Sequence, residues 1–385
     1  MPLWDVVIIG LGAVGAAAMR TATERGARVL GLDLSTPAHD RASSHGHCRI
    51  FRHAYFEHAD YVPLLRASTK RFESLEREAN VPLLHRCGVL LFGDRDSTVV
   101  TRSLAAAERH GLPVEALDRA QLAARFPWFQ LQEGAVGVFE ADAGLVRPEA
   151  VIDAALRLAT ARGAEVRTHT RVLALRNEGD AVVIATDRST ERARAVVVAA
   201  GAWAQKLLPE LAPLLRVTRQ VQTWIEPRPT TDARNLPCWL QDLGDGTPSL
   251  YGIPSDPLAG PMSPARAPKV AFHGSEIVVD PDLGAAPPDQ RDLAPLRAAY
   301  ERLAPSLCGR HEAAATCLYT MTKDQDFVVS TSREHPRVHF AAGLSGHGFK
   351  LSPVLGDALV DLALSGKTEL PIGFLSPARF LGGAR

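Results

Sequence analysis

Charge of one sign, lysine, paired cysteines and long apolar runs are all scarce in this 385-residue chain, and each scarcity narrows what it can be. Lys plus Arg and Asp plus Glu total 43 each, so the formal net charge is zero. Such a chain sets up no strong field to recruit nucleic acid or an anionic membrane, and its partners are expected to be small molecules. The longest uninterrupted apolar stretch, Val6 to Met19, is 14 residues long and holds three glycines. That is shorter than a bilayer span, and Met1 to Asp5 carry no basic residue, so neither a membrane helix nor a secretory signal is expected. A cytoplasmic protein is expected. The five cysteines, Cys48, Cys87, Cys238, Cys308 and Cys317, are odd in number and form no CxxC pair. This argues against a disulfide framework and against a zinc site. Lysine supplies only six of the basic residues, at positions 70, 206, 269, 323, 350 and 367. A chain that uses arginine by default keeps lysine where a compact, tunable ammonium matters.

What is present begins with Asp5-Val6-Val7-Ile8-Ile9-Gly10-Leu11-Gly12-Ala13-Val14-Gly15 and runs on to Val29-Leu30-Gly31-Leu32-Asp33. The pattern predicts strand, tight turn, helix, strand, with an acid closing the second strand. In such a unit Gly10 lets the chain turn, Gly12 lets backbone approach a pyrophosphate, and Gly15 lets helix pack against sheet. The free N–H groups and positive dipole end of the helix then face the phosphates. Asp33 is placed to accept from a ribose diol. The motif indicates a dinucleotide without saying whether it is NAD, NADP or FAD.

Pro37 to His53 has no period and is expected to be loop, yet Ser43 to His53 concentrates two arginines and three histidines directly after the dinucleotide unit. Helices are predicted over Tyr61 to Ala79, Thr98 to His110, Ala120 to Phe126, Pro148 to Arg162, Gln290 to Ala304 and Pro353 to Leu364. Strands are predicted around Cys87 to Gly93, Glu165 to Leu173, Ala181 to Thr186, Ala195 to Ala199, Ser249 to Ile253, Lys269 to His273 and Val338 to Gly343. Residues 220 to 320 are richer in proline and short strands, marking a second unit. Near the C-terminus, strand, glycine loop (Leu344 to Lys350) and helix repeat the logic of the N-terminus. A second cofactor contact is expected there. At this length two domains are anticipated.

Several of these stretches together resemble the monomeric sarcosine oxidase and N-methyltryptophan oxidase family of flavin amine oxidases. The carriers are the N-terminal glycines, Gly46-His47-Cys48-Arg49-Ile50-Phe51-Arg52-His53-Ala54-Tyr55, Cys87-Gly88-Val89-Leu90, Gly201-Ala202-Trp203, Thr316-Cys317-Leu318-Tyr319-Thr320 and Ser345-Gly346-His347-Gly348-Phe349-Lys350. The resemblance implies an α/β (α+β overall) fold: a Rossmann-like FAD-binding domain of glutathione-reductase type, with a second, mainly antiparallel substrate domain. Residues 1–85, 145–219 and 320–385 would form the first, and 86–144 and 220–319 the second.

It also implies roles. FAD would be contacted by Gly10, Gly12, Gly15, Asp33, Ser43, His45, Arg49, Val172, Gly346, His347, Gly348 and Lys350, with a covalent 8α-S link through Cys317. His347 would sit by the pyrimidine edge of the flavin. Arg52 and Lys350 would hold a substrate carboxylate, Tyr251 and Tyr319 would line its cavity, and Lys269, His273 and Arg49 would stand by the reacting ring. Lys269 would present positive charge where O2 is reduced. The implied activity is oxidation of a secondary, sarcosine-like α-amino acid to an imine by a monomer that reduces O2 to hydrogen peroxide. The competing expectations are a flavin dehydrogenase passing electrons to a carrier, and a flavin-binding module without turnover. Cys48, His47 and the proline-rich stretch Asp256 to Pro268 depart from the family pattern.

Overall fold

The computed structural model describes residues 3–41, 43–244 and 246–380; the other positions, including the last five of the expected C-terminal segment, lie outside the described residues. Two eight-stranded sheets organise the chain, with a three-stranded sheet beside them. In the first, Leu3–Ile9 lies between Thr190–Val198 and Val29–Leu32, parallel to both, and Glu165–Arg167 extends it beyond Val29–Leu32. The helix Ala13–Glu24 makes the crossover between the first two strands. Apolar residues fill both faces of Leu3–Ile9, as a covered parallel strand requires.

Thr190–Val198 serves two neighbours. Its first half pairs antiparallel with Ala181–Thr186, and its last residues pair parallel with Val338–Ala342. The C-terminal strand is thereby brought beside the N-terminal one, and the helix that follows it, Ser352–Ser365, packs on Ala13–Glu24. The contact is close because Gly356 meets the backbone of Ala18, where an added Cβ would come within 2.7 Å. Mixed α/β architecture of the Rossmann-like kind is therefore what the sequence patterning builds.

The second sheet runs, in order, His311–Met321, Arg216–Ile225, Lys269–Phe272, Leu250–Ile253, Cys238–Gln241, Val89–Gly93, Val136–Glu140 and Glu115–Leu117. All its neighbours are antiparallel except Cys238–Gln241 with Val89–Gly93. His311–Met321 and Arg216–Ile225 reach from this sheet to the first one's C-terminal edge.

Two differences from the sequence patterning have physical causes. Arg49–Phe51, inside the expected loop, is a short strand because it pairs with Gly144–Val146 far along the chain. Glu165 to Leu173 is not one strand but two, Glu165–Arg167 and Val172–Glu178, with His169 in a left-handed conformation (φ 52°) between them. Arg147, just before the helix Pro148–Ala161, makes a buried ion pair with Asp256 at 2.5 and 2.7 Å. That pair anchors the divergent proline-rich stretch, whose backbone at Asp256 also takes a bond to Ala265.

Candidate functional site

A long groove opens at the C-terminal end of the first sheet, lined by Gly10, Gly12, Ala13, Asp33, Ser43, Arg49, Val172, Tyr319, Gly346 and Gly348 among others. The sharp turn entering it depends on Gly10 (φ 88°), whose added Cβ would lie 2.6 Å from Ala199 O. Gly15 does not reach the groove; an added Cβ would strike Gly10 O, so its task is the packing one. At Gly12, by contrast, the nearest atom to an added Cβ is Ser44 Oγ at 3.7 Å, which leaves open space for a ligand. No side chain caps the helix start at Gly12, so the helix presents its N–H groups to the groove.

Asp33 accepts from Leu11 N (2.6 Å) through one oxygen and from Ser35 N (2.8 Å) through the other, which fixes its carboxylate with lone pairs to spare. Arg41, Arg171 and Lys206 also line the groove, with Lys206 paired to Asp280 and Asp282 and Arg171 to Asp282. Thr320 Oγ1, also on the wall, is buried without a partner. A nucleotide diphosphate with a ribose diol fits all of these features.

At its far end the groove shares Arg49, Tyr319, Gly346 and Phe349 with a second, smaller cavity of about 60 Å³. One side of this cavity is charged. Arg52 donates through both terminal nitrogens: Nη1 to Ala54 O (2.6 Å), and Nη2 to both carboxylate oxygens of Glu57 at 2.7 Å. Its guanidinium also lies over the Tyr55 and Phe56 rings. Burial would raise the Glu57 carboxyl, but Arg52, His347 and Lys350 hold it down to about 2. Lys350 donates to His347 O (3.0 Å), and burial, helped by Arg52, lowers its ammonium to about 7. The other side is apolar, made by Ile50, Phe56, Leu91, Leu240 and Ile253.

Tyr251, His273 and Tyr319 close the cavity, with the His273 ring 5.8 Å from that of Tyr319. Burial pushes His273 down to about 4 and Tyr251 up to about 12, so both are neutral at ordinary pH. His347 is neutral too, lowered to about 3 by burial. Its tautomer follows from its partners: Gln325 O can only accept, so Nε2 carries the proton at 2.9 Å, and the Tyr55 hydroxyl donates to Nδ1 at 2.6 Å.

The structure brings Arg52, Lys350, Tyr251, Tyr319 and His273 to one cavity, and Gly10, Gly12, Asp33, Ser43, Val172 and Gly348 to the groove, with Arg49 and Gly346 on both. It places His347 and Lys350, expected at the cofactor, on the smaller cavity instead. Lys269 and His45 line neither space. Lys269 is buried under the loop and donates to Gly46 O (3.1 Å) and Cys48 O, and burial lowers it to about 8. The same loop is held from the opposite side by Glu149, which accepts from Gly46 N (2.8 Å) and His47 N (3.0 Å). Arg49 tightens it further through Cys48 O, Ser43 O and His45 O. Burial, then Arg49, lowers His45 to about 4, and its Nε2 has no partner. Cys317 is also buried and lines neither space, though its neighbours Leu318 to Thr320 form groove wall. Burial raises its thiol, against the pull of Arg49 and Lys269.

Sequence reasoning missed Glu57, whose only local signal is an acid five residues after Arg52, and Glu149, which acts from the first turn of a distant helix. Among the described residues no helix is long and apolar enough to cross a membrane, and no cluster could hold a metal ion.

A family model described as DAO, FAD dependent oxidoreductase, matches residues 5–362. The chain is 38% identical over 382 residues to a monomeric sarcosine oxidase of Streptomyces avermitilis, with 98% of each chain covered. It is 33% identical over 380 residues to an N-methyl-L-tryptophan oxidase of Escherichia coli, covering 98% of this chain and 99% of the other. Among solved structures it is similar to the open form of NikD, an unusual amino acid oxidase essential for nikkomycin biosynthesis, with a TM-score of 0.84 and 26% identity over 98% of both chains.

Proposed function

We propose that this chain, which belongs to the FAD dependent oxidoreductase family, oxidises a small N-methyl or other secondary α-amino acid to an imine, with O2 reduced to hydrogen peroxide. Bound FAD supplies the two-electron acceptor that side chains cannot provide. The observation that carries the reading is the pairing of two spaces. A groove suited to the dinucleotide meets, across Arg49, Tyr319, Gly346 and Phe349, a cavity that offers cations at one side and hydrocarbon at the other.

In that cavity Arg52 and Lys350 bind the substrate carboxylate, the guanidinium through the N–H that its bonds to Ala54 O and Glu57 leave free and the ammonium as a point charge. Fixing the carboxylate orients the rest of the molecule, which sets the N-substituted carbon against the shared wall. Tyr251, Tyr319 and neutral His273 line the route of the amine without placing a charge beside it. A neutral histidine does not repel the positive character that grows on nitrogen as the imine forms. No side chain needs to act as a strong base when the substrate binds as the free amine. Lys269 and Arg49 supply fixed positive charge behind the Gly46 to Cys48 loop, which favours the anionic first product of oxygen reduction. The cavity volume, on the order of a few water molecules, favours sarcosine, N-methylalanine or a cyclic imino acid over an indole-bearing substrate. We further propose that Cys317 carries the flavin covalently, with the charges of Arg49 and Lys269 opposing the burial that raises its thiol, and that the protein acts as a monomer in the cytoplasm.

The test is anaerobic bleaching of the bound flavin by sarcosine, N-methyltryptophan, proline and pipecolate in turn. Bleaching by the small substrates, and slow or no bleaching by N-methyltryptophan, is expected. If none bleaches the flavin, the reading fails. Acid precipitation should leave yellow pellet for the parent and colourless pellet for Cys317→Ser. Free flavin in the parent's supernatant would refute the covalent link.

The engagement of Lys269 with two backbone carbonyls gives one reason to weigh a second reading, in which an electron carrier replaces oxygen. Comparing reoxidation by O2 with that by an artificial acceptor separates the two.

A further inference from the structure

Cys87 and Cys238 lie apart from the groove, and nothing in the proposed chemistry uses them. Their sulfurs are 3.9 Å apart. The approach has a specific origin in the backbone. Cys87 precedes the strand Val89–Gly93, and Gly88 takes a left-handed conformation (φ 79°), so Cys87 does not follow the alternation of the pleat. Cys238 opens the neighbouring strand and donates its N–H to Gly88 O at 3.0 Å, which fixes it beside the turn. The two thiols are therefore held together by main-chain bonds on both sides.

They are also unequal. Cys238 is fully buried, whereas Cys87 is the one cysteine of the five that keeps some exposure. The hydrogen bond from Cys238, with peptide N–H groups of Cys238 and Leu145, stabilises the Cys87 thiolate, whereas burial holds Cys238 protonated.

We propose that Cys87 and Cys238 form a peroxide-oxidisable dithiol in which Cys87 is the sulfur attacked and Cys238 closes the disulfide. The oxidant is hydrogen peroxide, and its supply at the protein rests on the oxidase reading above. The Cys87 sulfur forms a bond to one peroxide oxygen as the O–O bond breaks, and the departing hydroxide takes the thiol proton as water. The Cys238 sulfur then displaces hydroxide from the resulting sulfenic acid, and its own proton leaves in a second water. Two sulfurs lose two electrons in all and one peroxide gains them. Closing the 3.9 Å gap to a bond of about 2 Å needs side-chain rotation of Cys87, which lies outside the regular strand. The bond would join the starts of two strands that supply Leu91 and Leu240 to the substrate cavity, so it would lock one wall of that cavity.

The experiment uses the flavin-loaded protein in two arms. In the first, a brief excess of hydrogen peroxide is added without any amino acid, thiols are alkylated under denaturing, non-reducing conditions, and peptides are weighed. The expected product is the Cys87 peptide joined to the Cys238 peptide, lighter by two hydrogens than their sum. Cys238→Ser should stop at a Cys87 sulfenic acid that dimedone traps, and Cys87→Ser should leave Cys238 unmodified. Full alkylation of both thiols after peroxide, or equal oxidation of Cys238 in Cys87→Ser, overturns the proposal. In the second arm, turnover with an N-methyl amino acid in air replaces the added peroxide. The same linked peptide is expected, and catalase should suppress it. A link formed by added peroxide but not by turnover counts against the oxidase reading and leaves the dithiol standing; failure of the first arm sinks the dithiol alone.

Discussion

Replacing Lys350 by methionine should make the protein more stable and weaken its hold on substrate at once. The ammonium is buried beside Arg52 and lowered from 10.5 to about 7. At about 1.4 kcal/mol per unit, a displacement of this size represents roughly 5 kcal/mol against the charged form in the fold. Methionine fills similar space without the charge, but it forgoes the bond to His347 O at 3.0 Å and the ammonium's position over the Tyr55 ring. Those losses together come to about 1–2 kcal/mol, which leaves a net gain of roughly 3 kcal/mol.

The pH dependence fixes the cause. Below about 7 the lysine is protonated in both folded and unfolded chains, and the whole penalty applies. Between about 7 and 10.5 only the unfolded chain holds the proton, so stability of the parent rises with pH through this window. The advantage of Lys350→Met should therefore be full at about pH 6 and fade towards pH 10. Urea unfolding at matched flavin occupancy measures it, and steady-state kinetics should show a KM raised by about 10-fold or more. A variant less stable than the parent at about pH 6, or an advantage that does not change with pH, would refute the reasoning.

Arg52→Met removes a cation that binds the carboxylate and leaves Glu57 buried without the Nη2 donor to its two oxygens, so KM should rise by about 10- to 100-fold while kcat changes less; an unchanged KM, measured by initial rates, counts against carboxylate binding there. Gly12→Ala should fold normally but hold FAD weakly, because its methyl group enters the groove, whereas Gly15→Ala should lose soluble protein, because its methyl group strikes Gly10 O. Circular dichroism and flavin absorbance distinguish the two variants. Reoxidation of reduced flavin by O2 should slow as pH rises through about 8, where Lys269 loses its charge, and Lys269→Met should be slow and pH-independent in the same stopped-flow assay.

Local signals carried the helices well. Tyr61–Ala79 and Thr98–His110 begin and end where the sequence places them, because their ends are written locally: Asn80 and Gly111 take left-handed conformations that close them, and Ser97 caps the second. The dinucleotide unit was legible for the same reason, since turn, helix start and acid all lie within one short stretch. What could not be read depends on distant partners. The strand Arg49–Phe51 exists only through Gly144–Val146, and the anchoring of Asp256 only through Arg147. In the site, the family resemblance pointed to Arg52 and Lys350, but nothing local says that Glu57 neutralises one of them. Nor does the sequence say that Lys269 spends its protons on the carbonyls of Gly46 and Cys48 rather than facing a cavity.

The four residues shared by the groove and the smaller cavity have a consequence for the order in which the protein matures. Arg49, Tyr319, Gly346 and Phe349 border both spaces, so whatever fills the groove rests against the same residues that close the smaller cavity. Filling the groove therefore fixes side chains on which the shape of the amino acid chamber depends. Selectivity for the amino acid is then expected to sharpen as the holoprotein assembles, because loading the flavin holds still the residues that the two chambers share.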